Sequence, residues 1–184
     1  ITRLDRDVGR LRQHLASTGQ LANTLILFAS DNGAPAPHAR FQGNGPYRGY
    51  KGEVYEGGLR IPFIARGAGI PRGAVSATPF GFVDFFPTLA EITGQKAPAG
   101  LDGVSAWSAW RGARTLPRAT PLYWELSTKT GALQAVQQGD WKLVRRGPAQ
   151  PAELYDLVHD PGEKHDLAAA QPMRVQELAR LLEA

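Results

Sequence analysis

The 184-residue chain contains no cysteine, which rules out disulfides, thiolate metal sites and a cysteine nucleophile within it. It also lacks any apolar run long enough to span a bilayer. Residues 1–15, ITRLDRDVGRLRQHL, have the pattern of an amphipathic helix and not of a signal peptide. Charge is not concentrated either: 21 Lys and Arg stand against 17 Asp and Glu, a net of +4. The basic residues are dispersed, Arg145 and Arg146 are the only adjacent pair, and no aromatic–basic repeat accompanies them. No nucleic-acid partner is expected from such a surface.

What is present reads as an ordinary soluble globular composition, 42% hydrophobic and 21% charged, enough for one good core or a core with a small appendix. The 21 Gly and 14 Pro exceed average usage and cluster between the periodic segments, which points to long structured loops on a scaffold. Those loops centre on residues 24–62, TLILFASDNGAPAPHARFQGNGPYRGYKGEVYEGGLRIP. An apolar, β-branched run over 25–29 has the length of a buried strand and stops at Ser30-Asp31-Asn32-Gly33. A carboxylate and a carboxamide thus sit side by side at a strand end, where open α/β sheets bind ligands. Two adjacent oxygen donors suit a hard cation such as Ca²⁺ or Mg²⁺. Alone, Asp31 and Asn32 read more readily as an Asx turn than as ligands. Lys51, between Gly49 and Gly52, lies in a loop whose backbone can approach a small anion closely.

The motifs SDNG, NGPYRGYKG and EGGLRIP, in this order and spacing, closely resemble the sulfatase family, the arylsulfatase-like branch of the alkaline phosphatase-like fold. The likeness continues through LDG at 101–103, GDWKLV at 139–144 and LYDLVHDPGEKHDLA at 154–168. It implies that Asp31 and Asn32 are metal ligands. Related phosphatases and phosphodiesterases carry histidine at the second position and bind zinc, whereas an Asn there fits Ca²⁺, with Mg²⁺ as the alternative. Lys51 matches the family lysine that contacts the sulfate ester, where it stabilises charge on the leaving-group oxygen. His38 is a candidate for substrate contact and proton donation to the departing alcohol, or a solvated loop histidine, since the family's main acid histidine lies upstream. Glu56 and Arg60 are expected to pair across the Gly57-Gly58 turn, with Tyr47 and Arg48 supporting the lysine loop or lining the cleft.

The resemblance also implies a hydrated formylglycine nucleophile made from a Cys- or Ser-x-Pro-x-Arg motif, which this sequence does not contain. The chain therefore reads as the C-terminal portion of a longer sulfatase, inactive alone, whose partner is the N-terminal remainder of the same enzyme. Its substrate would be a sulfated small molecule or glycan, and the complete protein would be periplasmic or secreted. The competing readings are a phosphatase or phosphodiesterase of the same fold, disfavoured by Asn32, and a non-catalytic binding module derived from it.

The periodicity supplies the frame. Leu4, Val8, Leu11 and Leu15 predict an amphipathic helix over 3–17, stopped by Gly19 and covering one side of a sheet whose central parallel strand is 25–29. A strand is expected over 79–83, then a helix N-capped by Asp84 with Phe82, Phe85 and Phe86 in the core. Trp107 and Trp110 mark a short amphipathic piece; with Trp124 they read as sugar platforms or as core. Short strands over 122–126, 133–137, 141–145 and 153–157, a Gly139-Asp140 hairpin turn and a closing helix over 173–182 follow. The expected organisation is α/β: residues 1–115 as the C-terminal part of an alkaline phosphatase-like sheet domain, and 116–184 as a small antiparallel sheet with a C-terminal helix. Trp141, Leu143, Leu154 and Leu178 should share one apolar layer.

Overall fold

The computed structural model describes residues 1–36, 42–67, 69–113, 118, 120–129, 131–147 and 149–183. His38 lies outside them. The chain divides into two compact units, residues 1–29, 62–78 and 107–116 in the first and 30–61, 79–106 and 117–184 in the second.

The first unit holds helix α1 (Thr2–Ser17), strands β1 (Ile26–Ala29) and β2 (Phe63–Arg66), and the short helix α4 (Trp107–Trp110). Gly19 takes a left-handed φ of 72° and ends α1, with Gln20 N–H closing onto the Leu15 carbonyl at 2.8 Å. The expectation that α1 covers a sheet is not met, for none of its residues is buried and Leu4 and Leu11 remain 53% and 51% exposed. β1 is likewise not a parallel strand here. It pairs antiparallel with β2, from Ile26 opposite Arg66 to Ala29 opposite Phe63. The long connection between the two strands leaves and rejoins the ladder at the same end, which demands opposite strand directions. Trp110 is buried and its ring lies 5.1 Å from that of Phe63, a packing role.

The second unit is built on a four-stranded antiparallel sheet, β3 (Leu122–Thr128), β4 (Gly131–Gln138), β5 (Trp141–Arg146) and β6 (Glu153–Asp156), in sequential order. Gly139, at φ 59°, makes the tight turn that joins β4 to β5. Both faces are covered. Val136, Leu143 and Leu154 point to one side, where Leu178 and Leu182 of helix α5 (Pro172–Leu182) pack with Trp141 against them, as the apolar stripe of that helix requires. Their neighbours Ala135, Val144 and Tyr155 point the other way by the two-residue period of a strand. There they meet Val54 and Tyr55, with Trp124 packed on the cluster as core and not as an exposed platform.

Residues 79–83 form no strand; a 3₁₀ turn (Phe82–Asp84) leads directly into helix α3 (Phe85–Ile92). Asp84, wholly buried, caps the turn by accepting from Gly81 N–H at 2.8 Å, and also accepts from Val104 N–H at 2.8 Å and Arg118 at 2.7 Å. It does not cap α3 through its side chain. Thr88, also fully buried, accepts the Ala106 N–H at 2.8 Å. Because these polar anchors turn the Asp84–Thr88 face inward, Phe82 and Phe86 emerge on the other side, 53% and 60% exposed, and not in the core. Gly103 of the LDG motif has no room for a side chain, since a Cβ there would overlap the Val83 carbonyl.

Candidate active site

Within the second unit, three short segments are laced together through their backbones. Gly33 N–H donates to the Gly58 carbonyl at 2.9 Å, Lys51 N–H to Ala34 at 2.9 Å, and Gly57 N–H to Arg48 at 2.6 Å. Asn44 adds a side-chain staple, its Oδ1 accepting from Ala34 N–H at 2.9 Å and its Nδ2 donating to the Gly49 carbonyl at 2.8 Å. Chains this close leave no space for Cβ atoms. One on Gly33 would run into the Gly57 carbonyl, one on Gly57 into the carbonyls of Gly49 and Arg48, and one on Gly58 into that of Glu53. The glycines of SDNG and EGG are therefore demanded by backbone contact.

Asp31 is exposed and Asn32 half-buried just before the first of these contacts. Ser30 Oγ shapes the turn by donating to the Asn32 carbonyl at 3.1 Å. The Asp31 carboxyl is held below the usual carboxylate range, first by its own backbone N–H, then by the Lys51 ammonium and by the side chain and backbone of Asn32. Asp31, Asn32 and the lysine loop thus share one neighbourhood, and Asp31 is fully ionised at neutral pH. An ionised carboxylate beside a carboxamide has the donor chemistry of a hard-cation site, and would supply two of the six to eight oxygens that Ca²⁺ takes. Among the described residues no cluster of three or more His, Cys, Asp or Glu forms a metal site.

Behind the loop lies a layer in which Lys142, Glu153 and Glu163 join the expected Tyr47, Arg48, Glu56 and Arg60. The expected Glu56–Arg60 pair is present at 2.6 Å, with Arg60 also donating to Tyr47 Oη at 2.8 Å. Lys142 comes up from β5 with its Nζ 2.8 Å from Glu56 Oε1 and 2.8 Å from Glu163 Oε1. Glu163 Oε2 accepts the Glu56 N–H at 2.6 Å. On the other flank Arg48 turns inward, stacked 3.8 Å over the Tyr55 ring. Its guanidinium reaches Tyr155 Oη at 2.7 Å, Glu163 O at 3.2 Å and Glu153 at 3.3 Å. Burial, then Glu153, push the Tyr55 and Tyr155 phenols far above their ordinary value, so both stay neutral donors. The signal for Lys142 was a charge inside the apolar WKLV run; a strand with one solvent face places it outside, and only a sheet covered on both sides buries it. His159 and His165 are exposed beside Asp156 and Asp160, away from the chemistry.

The family model for sulfatases matches residues 1–95. The chain belongs to the sulfatase family. Among its relatives, N-acetylgalactosamine-6-O-sulfatase of Bacteroides thetaiotaomicron is 30% identical over the whole chain, which covers 40% of that protein. Choline-sulfatase of Rhizobium meliloti is 34% identical over 91% of the chain and 31% of its own length. The crystal structure of Ps i-CgsB, solved also with k-i-k-neocarrahexaose, superposes with a TM-score of 0.84 at 30% identity, over 97% of this sulfatase chain and 40% of that one. The fold is accordingly the alkaline phosphatase-like α/β fold of sulfatases, and the chain spans less than half the length of these relatives.

Proposed function

We propose that this chain is part of a hydrolase of sulfate esters, to which it contributes Lys51 as the group facing the ester and Asp31 with Asn32 as ligands of a hard cation, Ca²⁺ or Mg²⁺. The observation that carries the reading is the lacing of the SDNG turn to the lysine loop, with the Asp31 carboxylate already biased by Lys51. Rupture of the S–O bond develops negative charge on the bridging oxygen, and an ammonium at that oxygen lowers the barrier more than it tightens substrate binding. A cation held by Asp31 and Asn32 would neutralise the non-bridging sulfate oxygens. A formylglycine nucleophile belongs to the portion that precedes these residues in the family's order. Arg48 and Glu56 hold the lysine loop.

Relatives named for an amino sugar and for choline indicate a substrate range that these motifs do not narrow, so the class proposed is a sulfated small molecule or glycan. Sulfated glycans are mainly extracellular, which favours an exported protein. No helix among the described residues is long and apolar enough to cross a membrane.

The test uses the complete protein. It should release sulfate from 4-nitrophenyl sulfate, lose that activity in chelator and regain it with Ca²⁺ or Mg²⁺. Preferential hydrolysis of 4-nitrophenyl phosphate, or no loss in chelator, would reject the assignment.

A further inference from the structure

We propose that Lys142 and Glu163 are positioning residues for Lys51, clamping the loop that carries it through a buried chain of charges with Glu56. The proposal rests on the catalytic reading of Lys51 given above.

The Lys51 side chain is exposed, and residues 49–52 have no apolar anchor of their own among the buried positions. Besides its own N–H to Ala34 and the Asn44 staple on Gly49, Lys51 is placed by what holds the loop's flanks. Arg48 holds one through Glu153, Tyr155 and the Glu163 carbonyl. Glu56 holds the other, through Lys142 and through its own N–H to Glu163. Glu163 meets both flanks, with its carbonyl on Arg48 and its carboxylate on Glu56.

The side chains of Lys142 and Glu163 are 0% exposed and that of Glu56 is 5% exposed. Replacing such a buried group of charges with apolar side chains often costs no stability, so packing alone does not call for it. A charge network instead selects one arrangement: Lys142 donates to Glu56 Oε1, the Glu56 N–H donates to Glu163 Oε2, and Lys142 meets Glu163 Oε1 at 2.8 Å as an ion pair. A second observation falls on the same residue. Glu163 is, among the described residues, the one non-glycine with a left-handed backbone, at φ 52°, a conformation kept where the surroundings hold it in place. The charge balance is uneven. Glu56 has Arg60 as a second cation, whereas among the described residues Lys142 is the one cation at the Glu163 carboxylate, Arg48 lying at its carbonyl.

The experiment uses the complete enzyme with Lys142→Met, Glu163→Gln and both together, each with Lys51 intact and with Lys51→Ala. Lys142→Met should lower kcat on a poor leaving group by about 10- to 100-fold, the range expected when a reacting group is displaced by roughly an ångström, with KM little changed. Its pH optimum should move down, because two carboxylates left facing each other regain activity only when they share a proton. Amide exchange should quicken over residues 47–58 and stay slow over 131–146. Adding Glu163→Gln should bring the pH optimum back, since the orphaned charge is gone, but should not restore kcat, since Glu56 has still lost its clamp. Once Lys51 is Ala, Lys142→Met should have no further effect on kcat.

Effects that multiply in the Lys51→Ala background, exchange that quickens throughout the sheet, or a wild-type kcat in Lys142→Met would each overturn the proposal. If Lys142→Met does not fold, Glu163→Gln alone decides by the same coupling and exchange measurements. If Lys51→Ala keeps full activity, the catalytic reading falls instead. The exchange data then still decide whether the charges order the loop.

Discussion

Lys51 donates its backbone N–H to the carbonyl of Ala34 at 2.9 Å, three residues beyond Asp31. The lysine is tied to the acidic turn by its main chain, so truncating its side chain removes the charge and leaves the loop laced. In the complete enzyme, Lys51→Ala should cost on the order of 10²–10³ in kcat on a poor leaving group. The loss should shrink on 4-nitrophenyl sulfate, whose departing oxygen needs less neutralisation. A variant with only KM raised on both substrates would reduce Lys51 to a binding group.

Asp31 and Asn32 should report cation binding without any turnover. Ca²⁺ at about 100 times its Kd stabilises a protein that binds it only when folded by about 2.7 kcal/mol, visible as a rise in Tm. Asp31→Ala should abolish the rise and Asn32→Ala should weaken it. A full Ca²⁺-dependent shift in Asp31→Ala would remove this residue from the metal site.

Gly57→Ala is expected to be costly although it adds one methyl group. The new Cβ would overlap the carbonyls of Gly49 and Arg48, and backbone atoms on both sides restrict relief, so a loss of about 1–3 kcal/mol or more is expected in chemical denaturation. Ala at Gly139, where a Cβ would meet nothing within 4 Å, is the contrast: its cost is confined to the turn's left-handed φ.

Acid should loosen the layer behind the loop through Glu56. Burial pushes its carboxyl up, but Lys142 and then Arg60 outweigh this, and it ends below its ordinary value of 4.5. The stability it contributes is therefore present above 4.5 and is lost as pH falls through the lower folded value. Glu163 is raised by burial, which Lys142 only partly offsets. Its contribution has the opposite sign, present below 4.5 and fading as pH rises through the raised value. Thermal melts from roughly pH 3 to pH 6 should show an acid limb that Glu56→Gln flattens; an unchanged limb would assign acid loss to other carboxylates.

Leu178 is 1% exposed between α5 and the sheet. Leu178→Ala should cost about 2–5 kcal/mol. Near-wild-type stability would mean that α5 does not belong to this core.

The tail was the most legible part of the chain. Four short runs with turn residues between them, Gly139-Asp140 above all, and the Leu178–Leu182 stripe each specify local structure that packing then confirms. Clustered aromatics point Phe82 and Phe86 to the core, whereas Asp84 and Thr88 claim the inward face with buried hydrogen bonds. The direction of β1 was misread because its partner lies beyond a connection of more than thirty residues, and local pattern carries no information on strand direction. In the proposed site, Asp31, Asn32 and Lys51 are named by the resemblance of their motifs to sulfatases, and the Glu56–Arg60 pair by its opposite charges bracketing the Gly57-Gly58 turn. Lys142 and Glu163 meet Glu56 across 86 and 107 residues, a distance no local pattern bridges.

That separation also sets an order of events during synthesis. The contacts that hold the lysine loop reach 86 to 115 residues farther along the chain. At about 5–20 residues per second on the ribosome, Asp31, Asn32 and Lys51 emerge several seconds or more before the side chains that hold the loop. A nascent chain interrupted ahead of Glu163 would carry Asp31, Asn32 and Lys51 on a loop that lacks a contact at each flank. The lysine loop is thus fully held only once residues up to Glu163 have been made, and termination between Lys142 and Glu163 would loosen the proposed site without removing Asp31, Asn32 or Lys51.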